Sequence, residues 1–316
     1  MDRLRVVLKS KNIDFYENFD VAEISTIKIS AILKLAIFPK NENDLIKILR
    51  CLWNYKVPYL VVGNISNVLF YEKISFPVII TARMKDEYEI LGNVVKVSAG
   101  MQLARFMEVL KRNKLGGIEG VFGIPATIGG AIVNNASAFG CEISSKLLKV
   151  TAFHEGKIVE INANEIKFGH HFSNLKNIVL LSALFLFENK SECDIIKSYN
   201  EFAYRRTSTQ PNGLTLGSVY QKINGRSAGF FIERAGLKNL RVGGVSVSNK
   251  HANFFVNDRF GTAKDFMELQ SFVEKTVESQ FGLTLISEIE KVGDDNEIIS
   301  RSPHTFKKFK VRSWQE

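Results

Sequence analysis

The chain is 316 residues long, 45% hydrophobic and 24% charged, with a formal net charge of +9. Such a length exceeds one simple core and suits two or three packed lobes, and the composition excludes a disordered or fibrous chain. No run approaches the roughly 18 apolar residues of a membrane span. A basic face with stacking aromatics is offered only faintly, by the tail HTFKKFKVRSW at 304–314, so neither membrane nor nucleic acid is an expected partner. Excess positive charge suits phosphate-bearing small molecules equally well. Cys51, Cys141 and Cys193 are far apart, odd in number and without metal-ligand spacing. They read as thiols of a reducing compartment, and no metal is expected. The start, MDRLRVVLKSKNIDF, has no apolar core followed by a small-residue cleavage site, which points to the cytoplasm.

In chain order, ISAILKLAIFP (29–39) predicts an extended segment ending at proline, and NENDLIKILRCLWNYK (41–56) a helix opened by asparagine. VPYLVVGNISNVLF (57–70) gives a buried strand, a tight polar turn and more apolar chain; PVIIT (77–81) and NVVKVSAG (93–100) are further short strands. MQLARFMEVLKRNKLGG (101–117) predicts a helix closed by its two glycines. The stretch 147–187 is strand-rich, with a hairpin turning at Glu155-Gly156. Polar and turn residues in FAYRRTSTQPNG (202–213) mark the best lobe boundary. The last unit reads as a helix in GRSAGFFIERAGL, a turn and strand in VGGVSVSNKHANFFVN, and an amphipathic helix in AKDFMELQSFVEKTVESQFG.

Three segments carry candidate chemistry. Gly63, Asn64, Ile65, Ser66 and Asn67 follow a buried strand; their backbone N–H groups can form a nest for a phosphate, or only a strand-to-loop turn. GIEGVFGIPATIGGAIVNNASAFGCE (117–142) holds six glycines among 26 residues. That density suits a wall pressed against a flat cofactor, or a tight crossover, and is incompatible with an ordinary core helix. Residues 214–257 gather Ser218, Lys222, Arg226, Lys238, Arg241, Ser248, Lys250, His251 and Asn253. This is a binding surface for an anionic substrate, or a solvated basic face. Ser218 itself can be a turn residue, a helix cap, a nucleophile or a proton donor.

Together these segments resemble the UDP-N-acetylenolpyruvoylglucosamine reductase family, flavoenzymes of peptidoglycan precursor synthesis. GSVYQK, SAGFFIERAGLKN and GGVSVSNKHANFFVN agree with the family pattern in residue type and spacing, as does GIPATIGGAIVNNASAFG. The resemblance runs from about Asn18 to Gly293 and implies an α+β fold. Two lobes, at 1–82 and 83–205, would hold FAD in the manner of the vanillyl-alcohol-oxidase fold. A substrate-binding lobe would follow at 206–293, then a basic tail at 294–316. It implies NADPH as reductant, a UDP-sugar enolpyruvyl substrate, a monomer and the shorter form of the family. It further assigns Ser218 as general acid, with Glu288, in SEIEKVG, beside the developing charge. FAD would contact Gly63–Asn67, Gly123, Ile124, Pro125, Thr127, Gly129 and Asn135, and the substrate would contact Lys222, Lys238 and His251.

The departures are as informative as the matches. Where the family pattern has F-x-Y-R-x-S, this chain has KFGHHFSNLK at 167–176, so His170 falls on the tyrosine and His171 on a charge-stabilising arginine. A protonated His171 could substitute in part, whereas a neutral one offers a single donor and no charge. The family's G-x-G-S-N places Ile65 where a glycine is expected, a strained choice if that position needs positive φ. Upstream, the glycines and proline of T-x-K-x-G-G-P-A are missing from Thr26–Leu33. Beside an active reductase stand two alternatives: an impaired paralogue that binds flavin or sugar nucleotide, and a flavin-dependent oxidoreductase with another substrate.

Overall fold

A computed structural model describes residues 2–294; the basic tail expected at 294–316 lies, after Asp294, outside the described residues. The first lobe is built on helix α1 (Asp2–Ser10), strands β1 (Asp14–Asp20) and β2 (Ile32–Phe38), helix α2 (Glu42–Asn54), and strands β3 (Leu60–Val62), β4 (Val68–Phe70) and β5 (Ile74–Ile80). Four of these strands form one sheet in the order β1-β2-β5-β3, antiparallel at β1–β2 and parallel elsewhere. Helix α2 starts where Asn41 accepts from the Asp44 N–H, as the sequence predicts. Its Leu45, Ile48, Leu49 and Leu52 recur at helical spacing and bury against one face of the sheet, beside Leu4 and Leu8 of α1.

The second lobe is a five-stranded antiparallel sheet. It contains β6 (Tyr88–Leu91), β7 (Val94–Ser98), β8 (Leu147–His154), β9 (Lys157–Asn162) and β10 (Val179–Leu186), in the order β9-β8-β10-β7-β6. The β8–β9 hairpin turns at Glu155 (φ 48°) and Gly156 (φ 79°), the two-residue turn with both central φ positive that the sequence signalled. Helices α3 (Leu103–Arg112), α4 (Ile128–Val133) and α5 (Glu192–Thr209) cover this sheet. Two expectations fail here. Helix α3 stops at Arg112 with Asn113 as cap, and Gly116 belongs to a short strand instead; Lys114, at φ 56°, makes the left-handed turn. The predicted turn region at 202–213 is helical as far as Thr209. Only Ile195 and Tyr199 of α5 are buried, so the helix carries no broad apolar stripe. It is held instead by the Tyr199 hydroxyl donating to Met107 O (2.7 Å) and Arg206 Nε to Phe122 O (2.9 Å).

The third lobe packs α6 (Ala228–Arg234), the antiparallel ribbon β11 (Arg241–Val242), β12 (Val245–Val247) and β13 (Phe255–Asn257), and α7 (Ala263–Phe281) around one core. Helix α7 opens with a Thr262–Asp265 capping box and closes on Gly282 at φ 66°. The chain then returns, and β14 (Glu290–Val292) pairs in parallel with β4 of the first lobe. Ile27, Ile29 and Leu69 complete the third lobe's core, and Asn257 Nδ2 donates to Ile27 O at 2.8 Å. Among the described residues, no helix is long and apolar enough to cross a membrane.

Candidate active site

The three lobes enclose one cleft of about 1380 Å³, lined by Gly63–Val68, Gly123–Thr127, Gly129, His171, Arg206, Thr215–Ser218, Phe254 and Glu288 among others. A single small-molecule site typically takes ~300–1,000 Å³, so this cleft has room for more than one ligand. Its first wall is the turn after β3. Gly63 is required there, because a Cβ would run into the Thr127 side chain. Asn64 and Gln102 pair through their amides, Gln102 Nε2 donating to Asn64 Oδ1 and to Ala82 O, both at 2.8 Å. Ile65 takes φ 50° and is 2% exposed, so the glycine position does need positive φ, and the isoleucine is held there by burial. Asn67 Nδ2 donates to Glu288 O at 3.0 Å, joining this turn to the third lobe.

The small-residue segment 123–138 adjoins this turn, Thr127 against Gly63, and runs close to backbone: a Cβ at Gly129 would press on Ala99 at 3.1 Å. It includes helix α4, which the glycine count had argued against, but as only six residues. Small residues, backbone and the polar turn 63–67 thus line one cleft together. This is a cradle for a planar ring system carrying a diphosphate, and the residues fit FAD.

Two of the expected reactive groups, Ser218 and Glu288, line the cleft where the third lobe closes it. Ser218 follows Gly217, whose φ is 83°, and is bridged to Phe254. Glu288 N donates to Val219 O at 2.8 Å, so the segment bearing Glu288 runs beside the one bearing Ser218. Buried Asn253 fixes this arrangement: its Oδ1 accepts from Tyr220 N (3.0 Å) and its Nδ2 donates to Tyr220 O (2.8 Å). Burial raises the Glu288 carboxyl to about 8, against a smaller opposing pull from the Lys222 ammonium. Glu288 is therefore mostly protonated at neutral pH.

His170 and His171 form the turn between the short strands Phe168–Gly169 and Phe172–Ser173. Asn135 Nδ2 donates to Gly169 O at 2.8 Å and the Ser173 hydroxyl to Val133 O at 2.6 Å, which ties this hairpin to the end of α4. Burial, reinforced by His170 and Lys222, holds His171 down at about 4. It is a neutral imidazole at pH 7, and the charge that a protonated His171 would have supplied is absent.

Four expected binding residues do not line the cleft. Asn135 is fully buried and anchors the histidine hairpin instead. Lys238 pairs with Glu233 at 2.6 Å. His251 accepts from Asn253 N at 3.2 Å and packs its ring against Phe254, which does line the cleft. Lys222 is exposed, yet its charge bears on Glu288, His171 and His170. Sequence reasoning passed over Gln102 and took Asn253 for part of an anion-binding surface, whereas its amide is spent on the Tyr220 backbone. Gln102 carried no local signal.

This fold and cleft define a class: residues 33–162 match the model of an FAD-binding domain, joined here to a separate C-terminal lobe of α+β build. Residues 210–292 match the model of the UDP-N-acetylenolpyruvoylglucosamine reductase C-terminal domain. The chain is 34% identical over 293 residues to the UDP-N-acetylenolpyruvoylglucosamine reductase of Caldicellulosiruptor bescii, covering 91% of this chain and 93% of that one. It is 31% identical to the Streptococcus uberis protein of the same name, over 90% and 96% of the two chains. The crystal structure of UDP-N-acetylenolpyruvylglucosamine reductase from Thermus caldophilus superposes with a TM-score of 0.75 at 27% identity, covering 88% of this chain and 98% of that one. The chain belongs to the UDP-N-acetylenolpyruvoylglucosamine reductase family.

Proposed function

We propose that this protein is an FAD-dependent reductase that oxidises NADPH and reduces UDP-N-acetylglucosamine enolpyruvate to UDP-N-acetylmuramate, a step of peptidoglycan precursor synthesis. The observation that carries this reading is that Ser218 and Glu288, on neighbouring segments of the third lobe, both line the cleft that takes in the 63–67 turn and the 123–129 segment. Bound FAD supplies hydride transfer, from NADPH and then to the enol-ether carbon. The protein's own residues manage position, charge and the proton. Ser218 delivers its hydroxyl proton to the adjacent carbon, where negative charge develops next to the substrate carboxylate. A serine hydroxyl is a weak acid, so it needs donors aimed at that charge. Glu288, mostly protonated, donates a hydrogen bond there and is placed to reprotonate Ser218 after turnover. Lys222 supplies the cation nearest the pair and offsets the substrate carboxylate. His251 acts behind the wall, through Phe254, with the Lys238 charge bearing on it. The lobes are expected to divide the work at about 1–82, 83–205 and 206–293.

The test is an anaerobic visible spectrum followed through NADPH and then the enolpyruvyl sugar nucleotide. The flavin band is expected to bleach with NADPH and return with substrate. Ser218→Ala keeps the bleaching and loses the return; loss of both half-reactions would refute its role as proton donor. A second reading, a binding protein with little catalysis, is favoured by the strained Ile65 and the neutral His171. It would lead if flavin binds and substrate binds while the bleached band does not return.

A further inference from the structure

The two adjacent histidines have no use in the reading above, yet they are not placed at random. His171 takes φ 50°, an uncommon conformation for a non-glycine residue. That turn swings its ring onto His170, with centroids 4.3 Å apart, instead of to opposite faces as in an extended strand. Glu288 arrives from the third lobe to meet them. One donor atom from each of His170, His171 and Glu288 lies within 4.8 Å of the others, and among the described residues this is the one such group of three. Ser137 Oγ stands 3.4 Å from His171 Nε2, and the Glu142 carboxylate bears on both rings.

We propose that His170, His171 and Glu288 form a binding site for one divalent transition-metal ion of the zinc class, with an open coordination position facing the cleft. Two imidazoles and one carboxylate are a donor set zinc accepts while keeping a fourth position for water or substrate. Donors at about 2.0–2.1 Å from a tetrahedral zinc lie roughly 3.4 Å apart, so side-chain rotations of one to two ångströms close the group. Burial keeps both rings in the neutral form that ligates, whereas the Glu288 carboxyl must release its proton to bind the ion. Lys222 opposes the ion, while Glu142 favours it. With zinc bound, Glu288 no longer carries the proton that it donates in the reductase reading, so the ion and that role exclude each other at this carboxyl. This last point rests on the reductase reading; the metal site does not.

The test uses zinc alone, titrated into the purified full-length flavoprotein against a chromophoric chelator, with metal content measured after dialysis. One saturable equivalent per chain is expected. His170→Ala, at an exposed turn, and Glu288→Gln should each weaken it by about a hundredfold or more, since loss of an outer-sphere partner already costs ~10–100-fold. Lys222→Met should tighten it severalfold by removing the opposing charge. No saturable equivalent, or one that His170→Ala and Glu288→Gln leave unchanged, overturns the proposal. A competent reductase that binds no zinc would sink this site while leaving the function intact. A zinc site in a protein whose flavin never reoxidises would do the reverse.

Discussion

Ile65 offers a sharp test of how this chain tolerates a left-handed position without glycine. Its φ is 50° and its side chain is 2% exposed, packed in the core with Val62, Phe70 and Ile80. Its carbonyl accepts from Thr26 N and the Ser25 hydroxyl, both at 3.4 Å. Two terms oppose each other. Truncating a buried isoleucine to alanine costs about 2–5 kcal/mol, and alanine retains the left-handed strain of ~1–2 kcal/mol. Glycine loses the same packing but sheds that strain. In an ordinary helix or strand glycine is worse than alanine by roughly 0.5–1 kcal/mol; here the order should invert, with Ile65→Gly more stable than Ile65→Ala by about 1 kcal/mol. Both should remain less stable than the parent by about 2 kcal/mol or more, because lost packing exceeds relieved strain. Thermal unfolding followed by circular dichroism reads this directly. The glycine variant should melt about 2–4 °C above the alanine variant. An alanine variant that melts at or above the glycine one would mean that φ at this position is not a source of strain.

In chelator-containing buffer, wild type should lose stability relative to Glu288→Gln as pH rises. The unfolded carboxyl ionises near 4.5 and the folded one near 8, so between them the folded state holds the extra proton and stability falls with pH. The gap opens by about 3–5 kcal/mol across that window, and parallel urea-unfolding profiles from pH 5 to 8 would disprove it. Asn253→Ala removes both bonds to the Tyr220 backbone and should cost about 2–4 kcal/mol. It should also slow flavin reoxidation by substrate more than reduction by NADPH in stopped-flow traces. With metal chelated, His171→Arg supplies the missing charge and should raise turnover by about tenfold or more; an unchanged or lower rate would show that another group already does this.

The sequence by itself determined the elements that depend on neighbours along the chain. Helix α2 follows from Asn41 and an apolar repeat, the β8–β9 hairpin from Glu155-Gly156, and the strain at Ile65 from one missing glycine in a recognisable turn. Ser218 and Glu288 were placed by the resemblance of their segments, and the tertiary structure put those segments side by side. Helix α5 was illegible because side-chain anchors at Tyr199 and Arg206, 92 and 84 residues from their partners, hold it in place of an apolar face. Only the tertiary structure decided that Asn135 anchors a hairpin, that Lys238 pairs with Glu233 and that His251 packs behind Phe254. It also decided that His170 and His171 meet a carboxyl far along the chain. Burial sets the ionisation of Glu288 and His171, and burial is a property of what packs around a residue, which no local pattern records.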